Sequence, residues 1–278
     1  MSKSIRKVSD MMPRTRRLYS YLKEEWSLFK EVCNARWKDI DKPILKGRFT
    51  EKDVLGSGYF GIVLKTENKK LVVKVTSDPD EASFTELILS TPDLRFSPGL
   101  PYIFDLFQIP EWDAYVILRE NMHYGVPVVH TSSPIARTVQ ELEEYGRILN
   151  DIDHKVASLV DANFHLHEMV SPSDTREILK EAQGLIRVEI IKTLSRLPSV
   201  SENSQYYSLI DVVRIALDRY GIALWDLHKL NLGKHKYDLS DLVPEIETPK
   251  KNTIALLDVG GNLGSPVLSQ IIDEEIID

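Results

Sequence analysis

The chain of 278 residues contains a single cysteine, Cys33. No intramolecular disulfide can form, and a reducing, cytoplasmic setting is the expectation. Long apolar runs are missing as well. Stretches such as Ile254 to Leu257 are far too short to span a bilayer, and the basic N-terminus lacks the apolar core of a secretory signal, so no membrane segment is expected. No internal repeat or low-complexity tract occurs, which argues against a solenoid. The sequence has no H-E-x-x-H, C-x-x-C or G-x-S-x-G, so zinc and hydrolase chemistry have no support. His165 and His167, two apart on an expected helix, face different directions and make a poor metal pair. A net charge of −7 argues against a broad nucleic-acid surface. Charge is uneven, however: residues 1–17 carry six Lys or Arg and one acid, while Asp273, Glu274, Glu275 and Asp278 crowd the other end. The basic arm reads as a solvated terminus.

What is present is an ordinary globular composition, 42% apolar and 28% charged, in a length that suits one large domain or two lobes around a cleft. Residues 18–40 have helical spacing, with Leu18, Tyr21, Leu22, Trp26, Phe29 and Val32 as the apolar positions and Pro43 as the stop. Between Phe49 and Leu118 the texture changes to short strands, predicted at 49–55, 60–66, 70–76, 102–109 and 114–119. A helix at about 80–90 interrupts them, with Asp78-Pro79-Asp80 as its cap. From Ile135 to Tyr220 apolar residues recur at helical spacing in three stripes, the last closed by Gly221. Short strands follow at 231–236 and 253–257. The order predicts an α+β fold, rich in strands first and in helices later.

Leu55-Gly56-Ser57-Gly58-Tyr59-Phe60-Gly61-Ile62-Val63 fits G-x-G-x-x-G-x-V. Glycines let the backbone approach phosphates closely and leave amides to donate to them. A dinucleotide turn would open a helix after such a run, and a P-loop would continue G-K-[ST]. Here a strand follows, so the glycines read as a hairpin lid. The next strand, Leu71-Val72-Val73-Lys74-Val75, places one lysine in an apolar run. Unless it lies at an exposed edge, it needs an anionic partner, phosphate or carboxylate. Glu86, among apolar neighbours in the following helix, is the expected carboxylate, with Glu81 second. Further on, Asp226 and Asn231 stand five apart in Leu224-Trp225-Asp226-Leu227-His228-Lys229-Leu230-Asn231. One loop could thus receive a hydroxyl proton and hold a metal. Asp258-Val259-Gly260 ends an apolar strand with a carboxylate suited to Mg²⁺. His228 is the one histidine expected in the site. Each piece alone is weak; five in this order are not.

Taken together, these residues resemble the protein-kinase-like superfamily from about Phe49 to Gly260. The resemblance implies ATP and Mg²⁺ as cofactors and a bilobal fold with a five-stranded N-lobe sheet and a reduced helical C-lobe. Residues 1–45 would be a helical extension, 46–122 the N-lobe and 123–278 the C-lobe. It implies that Gly56, Ser57, Gly58, Tyr59, Gly61 and Val63 cover the nucleotide, and that Lys74 holds phosphates, oriented by Glu86. It further implies that Glu120 to Met122 form the adenine hinge, that Asp226 is the catalytic base, and that Asn231 and Asp258 bind the metal. Leu224 and Trp225 depart from the family's His-Arg, and Val259 from the Phe of D-F-G. The A-P-E segment has no counterpart after Gly260, so a seat for an activation-loop phosphate is not expected. The plan is most similar to the compact serine/threonine protein kinases of lytic bacteriophages, which implies protein substrates in a host cytoplasm. The D-L-H-x-x-N wording also resembles aminoglycoside- and choline-kinase-type enzymes, so a small-molecule acceptor is the alternative. The departures leave a catalytically weak nucleotide-binding protein as a third reading.

Overall fold

A computed structural model describes residues 11–41, 43–124, 207–220, 222, 224, 231–245 and 253–257. The helical stripes expected between 135 and 205 lie outside these residues.

Pro13, at a first-turn position where a missing N–H costs nothing, opens α1 (Pro13–Glu24). Thr15, Leu18, Tyr19 and Leu22 are its buried face. Helix α2 (Trp26–Arg36) extends the stripe with Trp26, Phe29 and Cys33. The single helix expected over 18–40 is therefore two. The backbone bends at Glu25 (φ −114°, ψ 20°), yet Glu25 N–H still donates to the Tyr21 carbonyl and the Glu25 carbonyl still accepts from Phe29. The inward face runs Leu22, Trp26, Phe29 and Cys33, spaced by four, three and four, so Cys33 is buried and Val32 is exposed. Burial also pushes the Cys33 thiol pKa well above its ordinary value. The Asn34 side chain exchanges two 2.8 Å hydrogen bonds with the backbone of Leu45, which returns the chain to the sheet.

Five antiparallel strands follow: β1 (Val54–Ser57), β2 (Gly61–Lys65), β3 (Leu71–Thr76), β4 (Ile103–Ile109) and β5 (Ala114–Glu120), in the spatial order β1-β2-β3-β5-β4. Strand β3 is central and buried along its whole length, so both faces of the sheet are covered there. The register sets Ile62, Val75 and Val116 side by side, and next to them Leu64, Val73 and Leu118. These residues share one apolar core with Leu18, Leu22, Trp26, Phe29 and Trp37. Helices α1 and α2 thus form the layer on this face. Trp112, in the β4–β5 turn, stacks on Tyr21 and Phe29 with ring centroids 5.6 and 5.4 Å apart. Arg36 and Trp37 both bond Asp105 of β4, the indole at 2.7 Å, and close the far edge.

Because side chains alternate along a strand, the opposite face carries Val63, Lys74 and Ile117 in one cross-strand row. Helix α3 (Pro79–Ser90) lies against this face, with Asp78 as its N-cap accepting from Asp80 N–H at 3.1 Å. A short helix α4 (Pro92–Arg95) leads into β4. After β5 the chain crosses to a second, three-stranded antiparallel sheet, β6 (His123–Tyr124), β7 (Leu232–Lys234) and β8 (Ile254–Leu256). Helix α5 (Tyr207–Tyr220) buries Leu209, Val212, Val213 and Ala216. The Ser208 backbone packs so closely on Gly99 that a Cβ there would collide with the Ser208 carbonyl. The architecture is mixed α+β with the five-stranded antiparallel sheet expected from the strand pattern. Among the described residues no helix is long and apolar enough to cross a membrane.

Candidate active site

The glycine run forms the β1–β2 hairpin, with Gly58 N–H donating to the Gly61 carbonyl at 2.9 Å. Its glycines differ in kind. A Cβ on Gly61 would stand 2.7 Å from the Val75 carbonyl oxygen, so Gly61 is required by contact between neighbouring strands. Around Gly56 and Gly58 nothing lies within 4 Å of that position. Packing does not ask for glycine there. Ser57 and Val63 are half-buried, while Tyr59 is exposed. The tip is tethered from two sides. Thr15 Oγ1 lies 2.9 Å from the carbonyl oxygens of both Gly58 and Tyr59, and the Phe60 carbonyl accepts from Ser77 N–H at 2.9 Å and from its hydroxyl at 3.1 Å.

Lys74 lies in the middle of β3, buried, and its Nζ pairs with the carboxylate of Glu81, also buried. This corrects the choice of Glu86 as partner. On α3 the residues facing the sheet are Glu81, Thr85 and Ile88, spaced by four and three. Glu86 is one position out of that phase and is exposed. Its apolar sequence neighbours belong to other faces of the helix, so they do not report its environment.

Glu81, Thr85, Ile88, Ile117, Arg119 and Leu257 line a narrow crevice between α3, β5 and the end of β8. Leu257 is fixed there on both sides: its carbonyl accepts from Arg119, and its N–H donates to the Asn231 carbonyl at 2.6 Å. The end of β8 therefore lies beside half-buried Asn231 and on the same face of the main sheet as Lys74. Asp258 follows Leu257 directly in sequence. Asp258 itself, Asp226 and His228 lie outside the described residues.

Glu120 is the first residue of the expected hinge. It is buried at the end of β5, its amide donates to the Tyr102 carbonyl at 2.8 Å, and its two carboxylate oxygens lie 2.9 and 3.0 Å from Nδ1 of His235. Its amide and carboxylate are thus committed to holding the fold. Met122 sits half-buried in the two-residue connection between β5 and β6. On the other side of the imidazole, His235 Nε2 lies 2.8 Å from the Pro98 carbonyl. Both ring nitrogens face acceptors, an arrangement that favours the imidazolium, which carries a hydrogen on each. Burial works against that charge. The hydrogen bond and charge of Glu120, with the Pro98 carbonyl, outweigh it and hold the pKa above the ordinary histidine value.

Thr15, His235 and Arg119 were not legible as site residues. A threonine on the otherwise apolar face Leu18, Tyr19 and Leu22 is the one signal that could have singled out Thr15. No protein-family model matches the chain, and no curated protein is detectably similar to it.

Proposed function

We propose that this chain is an ATP- and Mg²⁺-dependent phosphotransferase of bilobal kinase-like architecture that transfers to an alcohol hydroxyl, most simply a serine or threonine of a protein. The observation that carries this reading is the buried Lys74–Glu81 pair, on the strand next to the glycine hairpin and on the sheet face where the end of β8 is docked. Burying two ions is costly, and apolar residues of similar volume would serve stability as well or better. A lysine held by a carboxylate on a cleft face is what a phosphate ligand requires. Open space over Gly56 and Gly58, where packing does not demand glycine, supports a loop shaped for close approach of something else.

In this reading the hairpin amides and Lys74 hold the ATP phosphates, and Glu81 keeps the lysine aimed. Asn231 and Asp258 offer an amide oxygen and a carboxylate, the hard oxygen donors that Mg²⁺ takes, and the metal would neutralise phosphate charge. Asp226 receives or orients the acceptor hydroxyl. Catalysis rests on positioning and charge stabilisation.

The test is incubation with γ-labelled ATP and Mg²⁺, with a protein extract in one arm and a panel of aminoglycosides and choline in the other. Label on protein is the expected result, with Asp226→Asn folded, still binding ATP and slowed by at least about a hundredfold. Label confined to a small molecule would reassign the acceptor. ATP binding with no transfer would point to a nucleotide-binding protein, and equal turnover in Asp226→Asn would reject the mechanism.

A further inference from the structure

We infer that Thr15, in the N-terminal helix, is a positioning residue for anion binding by the glycine hairpin. The inference rests on the nucleotide reading above. It turns on the geometry of two peptide groups. A trans peptide directs its carbonyl and the following N–H to opposite sides. Thr15 Oγ1 meets the carbonyl oxygens of Gly58 and Tyr59, each at 2.9 Å. The N–H groups on the other side of those same two peptides belong to Tyr59 and Phe60. Helix α1 packs on the face of the sheet that carries Val73 and Val75, and Lys74 projects from the opposite face. Carbonyls drawn towards α1 therefore turn the Tyr59 and Phe60 amides away from it, to the side where Lys74 lies.

A loop whose glycines have open space around them could rotate these peptides at little cost. Left to itself it would lose the donor array for much of the time. Thr15 is fully buried and α1 is anchored through Leu18, Tyr19 and Leu22, so the hydroxyl comes from a rigid support. A further contact holds the same end of the helix: the Arg14 guanidinium sits 5.5 Å from the Phe60 ring centroid. One hydroxyl proton serves two acceptors in turn, and either bond keeps the tip oriented the same way. The threonine thus does for the loop what a ligand would otherwise have to do on binding, and the ordering cost is met in advance.

The experiment compares wild type, Thr15→Val and Thr15→Ser in calorimetric titrations with Mg-ADP and with adenosine. Valine keeps the volume and loses the hydroxyl; serine restores it. Only the phosphates reach the hairpin amides, so Thr15→Val should bind Mg-ADP about tenfold more weakly and adenosine equally well. Thr15→Ser should recover most of the Mg-ADP affinity. Equal loss for both ligands would mark Thr15 as merely structural and overturn the inference, as would unchanged Mg-ADP binding in Thr15→Val. If wild type binds neither ligand, the nucleotide reading falls and this inference with it. Should Thr15→Val not fold, amide NMR of wild type decides. The Tyr59 and Phe60 N–H resonances should shift on adding Mg-ADP and stay in place with adenosine; stationary resonances would overturn the inference.

Discussion

At the scale of single residues, Lys74 and Glu81 set the terms. Each is a charge taken out of water, and each is tolerable because the other is there. Removing one partner should cost more than removing both. Lys74→Met should lower unfolding free energy by about 3–5 kcal/mol, since it strands a buried carboxylate. The double variant Lys74→Met, Glu81→Leu should recover most of that loss in urea titrations while binding no nucleotide. Recovery of nucleotide binding with stability would show that the pair belongs to the core alone. Glu86→Ala, on the exposed side of α3, should change neither quantity measurably.

At the scale of elements, the glycine hairpin separates what the fold needs from what a ligand needs. Gly61 is pressed against the backbone of β3, whose Val75 carbonyl does not give way as a side chain would. Gly61→Ala should therefore be destabilising by about 1–3 kcal/mol. Gly56→Ala and Gly58→Ala add a methyl group to open space, and should leave the melting temperature within a few degrees of wild type. Both should nonetheless weaken Mg-ATP binding, because the methyl group occupies the approach that phosphates would take. Thermal unfolding with and without Mg-ATP reads both effects on one sample. If Gly56→Ala and Gly58→Ala melt early without ligand, the hairpin glycines serve the turn and not a ligand.

At the scale of the whole molecule, the two sheets are bound together by a polar network behind the crossing from β5 to β6. Glu120 ends β5 of the large sheet, His235 follows β7 of the small one, and Pro98 closes the imidazole from the α4–β4 connection. Lys70 adds a second tie from the large sheet, reaching the Asp238 carbonyl at 2.7 Å and the Asp241 carboxylate at 2.5 Å. The His235 pKa is raised in the folded state, so the native protein binds a proton that the unfolded chain releases at about pH 6.5. Stability from this pair is fully present below that value and declines as pH rises through the folded pKa. Urea unfolding followed from pH 5.5 upwards should show that decline, and the double variant Glu120→Gln, His235→Asn should flatten it. A slope unchanged in the double variant would assign the dependence to other groups.

Local chemistry was readable directly from the sequence because it acts over a few residues. Short runs rich in Val, Ile, Phe and Tyr located β2, β3, β4 and β5 to within a residue or two, and Asp78-Pro79 marked the start of α3. The spacing of glycines before a strand, rather than a helix, identified the hairpin. What the sequence left open was every question of which face meets which. Glu86 stood among apolar neighbours in the chain, but one-hundred-degree steps around α3 carry it outward and bring Glu81 to Lys74. Glu120 read as the start of an adenine hinge, and only the fold shows its side chain buried against His235, far away in sequence. Residues 1–45 read as a helical extension. Only the packed structure makes their aromatic stripe one layer of the main core and brings Thr15 onto the hairpin. Periodicity is a property of neighbours along the chain, whereas pairing and burial are settled by elements distant in sequence competing for the same surface.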